Sequence, residues 1–189
     1  MRMKIGLTAL LLVAAGPALA HLGHEASGFL HPFTGLDHML AMVGVGLWAA
    51  FMVGRKPVIA IAVPAAFLVM MAIGAAAGFA GIKLPLVEAA ILASVFAIGA
   101  LIIGAVRLPV AWAMAVVGLF ALFHGYAHAL EAPPAGAGGY ILGFLAATAL
   151  LQGVGLAIGW VVHRVVGDLG LRALGGVVLA AGAVALIAH

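Results

Sequence analysis

The sequence predicts an all-α protein, a polytopic membrane bundle of six transmembrane helices that follow a cleaved signal peptide. Two observations carry this expectation. Of the 189 residues 67% are hydrophobic and only 7% charged, with a mean hydropathy of +1.36. A soluble domain is about half apolar and roughly a quarter charged, so this chain cannot cover a water-facing surface. The apolar residues also fall into runs of about 17 to 25, the length that crosses a hydrocarbon core roughly 30 Å thick. Runs without a polar face must be helices, because lipid leaves an open strand edge unsatisfied. The 27 glycines suit such a bundle, since small residues let helix backbones approach closely.

The first element is "MRMKIGLTALLLVAAGPALA". Arg2 and Lys4 precede a short apolar core from Ile5 to Ala15, and Gly16 and Pro17 break it ahead of Ala18-Leu19-Ala20. A positive start, a short core and an A-x-A ending describe a secretory signal peptide. The expected organisation is therefore a signal peptide over 1–20 and one six-helix transmembrane domain over 21–189, with His21 as the mature amino terminus. Loss of Arg2 and Lys4 leaves six basic against five acidic residues. The pI near 9.8 thus implies no nucleic-acid partner, for the basic residues are scattered singly and form no stripe. With no cysteine, disulfides, thiolate sites and iron–sulfur clusters are excluded.

Six apolar segments follow, at 33–53, 58–80, 86–105, 109–130, 140–162 and 172–188, separated by breaks rich in Gly, Pro and single charges. A cleaved signal places the mature N-terminus outside, so the first segment runs inward. The inside loops then hold Arg55, Lys56, Arg107, Arg164 and Arg172, and the outside loops only Lys83. Basic residues gather inside, as the positive-inside rule requires. The predicted location is the bacterial inner membrane, with both mature termini periplasmic. No internal repeat is visible in the residues, although six spans permit an inverted three-plus-three arrangement.

With that topology the polar residues sort themselves. His31, Asp37 and His38 fall at the outer end of the first segment, in "HPFTGLDH", and His124, His128 and Glu131 at the outer end of the fourth, in "FHGYAHALE". At 1.5 Å per residue His124 lies about 10 Å deeper than Glu131. His124 and His128 are i and i+4 on one helix face, with Glu131 three residues on. His31 precedes Pro32, which biases it out of the helical region, so it is expected in a loop or a broken first turn. Thr34 with Asp37 resembles a capping box. One such histidine could simply bond a neighbouring helix, and Asp37 could be only a cap. Four imidazoles and two carboxylates at one depth are hard to explain so, because an uncompensated charge at mid-bilayer costs about 2.5 to 3.5 kcal/mol.

These donors suit a divalent transition metal such as Zn, Ni, Co, Cu or Fe, and two carboxylates neutralise a 2+ ion. The negative C-terminal end of the fourth helix adds to the attraction.

The pair H-x5-D-H (His31, Asp37, His38) and F-H-G-x-A-H-x-x-E (Phe123 to Glu131) resembles the signature of the HupE/UreJ family of small bacterial membrane proteins. The resemblance extends over the whole mature chain, and Ala129 departs from the glycine usual in the family at that position. It implies nickel uptake associated with hydrogenase or urease, and it implies that His31, Asp37, His38, His124, His128 and Glu131 handle the metal. No permanent cofactor is implied, the partners being the transported ion and membrane lipid.

His21, His24 and Glu25 read either as an outer capture site or as a frayed tail. Glu88 reads as a solvated start of the third segment, His163 as an inner interface anchor and His189 as a free tail. Met39 and Met42 read as packing, and Gln152 as an interhelical hydrogen bond. The chain has no G-x-x-x-x-G-K-[ST], hence no ATPase of its own. The expected activity is a secondary-type permease for a divalent metal, not an enzyme. The rivals are a membrane metalloenzyme with retained iron, a bis-histidine haem protein, and a metal sensor or partner of another transporter.

Overall fold

The computed structural model of the protein describes residues 28–53 and 57–188. The expected signal peptide, His21, His24, Glu25, Arg55, Lys56 and His189 lie outside the described residues. Among the described residues there is no strand. A 3-10 turn at His31–Phe33 leads into six helices: α1 (Leu36–Val53), α2 (Ile59–Phe79), α3 (Val87–Ile103), α4 (Val110–Glu131), α5 (Ala137–Val166) and α6 (Asp168–Ala188). Five of them are long and apolar enough to cross a membrane, and α3, at 17 residues, is shorter.

The helices run alternately up and down. α1 and α5 are parallel, Met42 facing Thr148 and Leu47 facing Gly159. α3 and α6 are antiparallel, with Val95 against Gly182 and Ile102 against Gly175. All four imidazoles of the two motifs come to one end of the bundle. Arg107, Arg164, Asp168 and Arg172 come to the other, where Arg107 donates to the Phe51 carbonyl (3.3 Å) and to Asp168 (3.1 and 3.2 Å). α1 is the core helix. It is 61% buried against 28% for α6, and α2, α3, α5 and α6 all pack on it. The large side chains left exposed, such as Ile61, Leu119, Leu142 and Ile187, lie on the outer faces where lipid is the solvent.

Two helix crossings are made backbone to backbone. A Cβ on Gly46 of α1 would collide with the Gln152 carbonyl oxygen, and one on Gly155 of α5 with that of Val43. The same reciprocal device joins α2 and α4, where Gly74 meets the Leu122 carbonyl and Gly125 that of Met71. In each case a glycine and the residue three before it face their counterparts on the other helix. The register repeats when α1 is exchanged with α4 and α2 with α5, a repeat of packing that the residue types do not display.

Several boundaries differ from those the sequence suggests, α1 beginning at Leu36 and α5 at Ala137 in place of the expected 33 and 140. α3 loses one residue at the start and two at the end of the expected 86–105, because Leu86 and Ala105 adopt left-handed conformations (φ 58° and 54°). At its C-terminus Val106 N–H reaches the Leu101 carbonyl (2.9 Å) and Ala105 N–H that of Ile102 (3.1 Å), which closes the helix in a Schellman motif. Glycine precedes the left-handed position instead of filling it. The expected inner loop before 172 is a single residue: Gly167 (φ 78°) joins α5 directly to α6. α5 consequently has 30 residues, about 45 Å, longer than the hydrocarbon core.

Candidate metal centre

The 3-10 turn presents His31. Pro32 fixes the turn, and Thr34 closes it by donating both its hydroxyl (2.7 Å) and its N–H (3.0 Å) to the His31 carbonyl. Thr34 is therefore not the capping-box partner of Asp37. Its hydroxyl is engaged upstream, and α1 begins only at Leu36, with Gly35 accepting from Met39 N–H (3.0 Å). His31 lies outside α1, as the first residue of the 3-10 turn and not in the extended conformation that Pro32 favours, and its ring leans over the cluster. Its Nε2 lies 2.9 Å from Glu131 Oε2, and its ring centroid 5.0 Å from that of His128.

Below this mouth the rings of His38, His124 and His128 pack edge to face. The centroids are 4.7 Å apart for His38 and His128 and 5.0 Å for His38 and His124. His124 and His128 are fully buried. Phe144 covers His128 at 4.3 Å, and Phe67 lies 5.8 Å from His124. The six residues thus come from the turn, α1 and α4 to one place. Ligand atoms of His31, His128 and Glu131 lie within 4.8 Å of one another.

The hydrogen bonds assign the tautomers. Asp37 Oδ1 accepts from the His38 backbone N–H (2.8 Å) and stands 3.0 Å from His38 Nδ1. A carboxylate only accepts, so Nδ1 carries the proton and the lone pair is on Nε2. That Nε2 is buried without a partner among the described residues. Ser94 gives its hydroxyl proton to the Ile91 carbonyl (2.5 Å), so toward His124 Nε2 (3.0 Å) its oxygen is an acceptor. The proton of His124 is therefore on Nε2, and its bare Nδ1 is likewise buried and unpartnered. Both nitrogens of His128 are unpartnered too. Glu131 Oε2 stands 3.4 Å from its Nδ1, in a geometry that makes no hydrogen bond.

Buried polar atoms are nearly always satisfied. Three adjacent imidazoles with bare nitrogens, each oriented by a group behind it or packed under an aromatic ring, have the character of a metal-ligating set. Asp37 and Ser94 sit behind their histidines and set proton positions. His31, Glu131 and His128 bring ligand atoms to one point, and the rings of His38 and His124 lie beside them. Ser94 escaped the sequence reading, and the only signal for it was a lone hydroxyl in an otherwise apolar helix. Tyr140, with its ring 6.0 Å from His31 and its hydroxyl buried and unpartnered, also escaped.

The remaining candidates fall elsewhere. Glu88 is exposed in the first turn of α3 and is not part of the gathering. His163, at the opposite end, pairs with Asp168 at 3.2 Å. Met42 is buried in the core and Met39 packs against it. Gln152 differs from expectation: its side chain is 1% exposed, yet neither amide atom has a hydrogen-bond partner among the described residues.

The family described as HupE / UreJ protein matches residues 9–185 of the chain. Protein HupE of Rhizobium leguminosarum bv. viciae is 43% identical over 189 residues, covering 97% of each chain. No solved structure matches.

Proposed function

The chain belongs to the HupE/UreJ family, and from that premise we propose that it is a secondary-type permease importing a divalent transition metal, Ni²⁺ foremost, for maturation of a nickel enzyme such as hydrogenase or urease. The observation that carries the reading is the set of buried, unpartnered imidazole nitrogens on His38, His124 and His128 beneath the partly exposed His31 and Glu131. Such nitrogens bind first-row divalent cations, and the carboxylate behind His38 and the hydroxyl behind His124 orient those two rings. All six motif residues, His31, Asp37, His38, His124, His128 and Glu131, belong to the proposed metal-handling set.

In this reading all six helices span the inner membrane, with the histidine end periplasmic and the arginine end cytoplasmic. His31 and Glu131 meet the hydrated ion first. The deeper imidazoles replace part of its water. The chain itself supplies no nucleotide chemistry, and an inside-negative potential of 100 mV favours inward movement of two charges by about 4.6 kcal/mol. Ni²⁺ is preferred on the family resemblance, since ligand type alone does not separate Ni²⁺ from Cu²⁺, Co²⁺ or Zn²⁺.

The test is uptake of radiolabelled Ni²⁺ by cells expressing this gene, with Co²⁺, Zn²⁺ and Cu²⁺ as competitors. Saturable uptake above the vector control is expected. Uptake no greater than the control, with the protein present in the membrane, would overturn the reading.

A further inference from the structure

The histidine cluster ends about two turns below the mouth, and beyond it the inner half of the bundle is almost wholly apolar. The exception lies in the parallel seam of α1 and α5. Below Phe144, which covers His128, α5 carries Thr148 and then Gln152, each one turn further in. Thr148 donates its hydroxyl to the sulfur of Met42 at 3.2 Å, and Met42 is itself one turn below His38. Met42 and Thr148 are fully buried, and Gln152 is 1% exposed.

A glutamine that merely joined helices would have a partner, because an unsatisfied amide is costly in so dry a place. Both Gln152 amide atoms are unpartnered among the described residues. A functional occupant is the alternative, and the position of a nearby cleft favours it. An open groove of about 610 Å³ runs along the flank of α5 toward the arginine end, lined by Ala50, Gly153, Leu156, Trp160, His163 and Arg164, among others. It reaches up to the residue next to Gln152. Leu156, one turn below Gln152 on the same face, is half-buried and forms part of its wall.

We propose that the Met42 sulfur, the Thr148 hydroxyl and the Gln152 amide oxygen form a second, inner set of ligands, which receives the divalent cation from the histidine cluster and passes it to this cleft. The inference rests on the import reading and supplies its inward path. The chemistry fits a transit station. Thioether, hydroxyl and amide are neutral donors, weaker than an imidazole and carboxylate set, and conduction requires sites weak enough to leave. Thr148 bonds Met42 through its proton, which leaves the oxygen lone pairs available. At the mouth of the cleft His163 offers a further imidazole. Arg164, its guanidinium 4.7 Å from the Trp160 ring, discourages a cation from lingering.

The chain has no cysteine, so one introduced at position 152 can be probed alone. Two measurements on the full-length protein test the path, Ni²⁺ uptake by Gln152→Leu and labelling of Gln152→Cys in inverted membrane vesicles by a small, charged thiol reagent. Gln152→Leu removes an amide that satisfies nothing, so folding should survive. Maximal uptake should fall about tenfold while half-saturation, set at the outer cluster, stays within about twofold. Gln152→Cys should react with the reagent, and added Ni²⁺ should slow that reaction. Wild-type uptake by Gln152→Leu at matched membrane levels, or a cysteine at 152 that the reagent never reaches, overturns the path and leaves the import reading standing. Wild-type protein that takes up no Ni²⁺ overturns both.

Discussion

His38 and His124 each have one ring nitrogen held by a neighbour and the other bare, so each has one lone pair to offer the same ion. His38→Ala, His124→Ala and the double variant should all lose more than about tenfold in Ni²⁺ uptake and look alike, because ligands of one ion act as a unit. Two independent sites would give partial losses that combine. Lys83→Ala, exposed in the loop before α3, is the control and should transport normally. Asp37→Asn keeps the shape but removes the carboxylate that fixes the His38 proton, so Ni²⁺ affinity of the purified protein should weaken by about 10- to 100-fold. Equilibrium dialysis measures it, and an unchanged affinity would place Asp37 outside the metal's support. The six motif residues were legible in the sequence because a polar group in a lipid-bound chain stands out and demands a reason. Ser94 was not, since its partner lies thirty positions away on another helix. Nor was the engagement of the Thr34 hydroxyl with the His31 carbonyl, because T-x-x-D fits a cap in sequence whatever the turn before it requires.

At the scale of elements, hydropathy located all six helices but not their ends. The apolar run through 105 gave no hint that Ala105, and not Gly104, would take the left-handed position. A residue with a Cβ is strained there. Ala105→Gly should therefore stabilise the protein by about 1 kcal/mol, raising its thermal midpoint in detergent, and a lowered midpoint would contradict the Schellman closure. The inner loop before 172 vanished for a related reason: a single left-handed glycine, Gly167, turns the chain where composition suggests several residues. The seams are more demanding. Gly46→Leu would force side-chain atoms into the Gln152 backbone and should cost about 3 kcal/mol or more, with loss of folded protein. Gly153→Ala meets nothing within 4 Å and should be tolerated. Equal behaviour of the two in a thermal-stability assay would mean that the α1–α5 contact is looser than described.

The whole molecule has a direction, with the imidazoles and carboxylates of the two motifs at one end and the arginines, with Asp168 and His163, at the other. A reporter fused after Arg107 should be active only in the cytoplasm, and one after Gly138 only in the periplasm. The reverse pattern would turn the histidine cluster inward and end the import reading. The direction itself was legible from the spacing of basic residues. The repeated glycine crossings were not, because α1 with α4 and α2 with α5 match in backbone register and not in residue type.

Those crossings also have a mechanical meaning. Backbones that touch without interlocking side chains have no room to close further, so α1 with α5 and α2 with α4 each behave as one stiff strut. The struts meet at the histidine end where His38 of the first packs against His124 and His128 of the second, three rings whose bare nitrogens do not bind one another, and where Phe144 covers His128. In the import reading, cargo seated there would be a rivet between two beams: while it stayed, the beams would be locked together at that end, and once it left they would be free to lean apart.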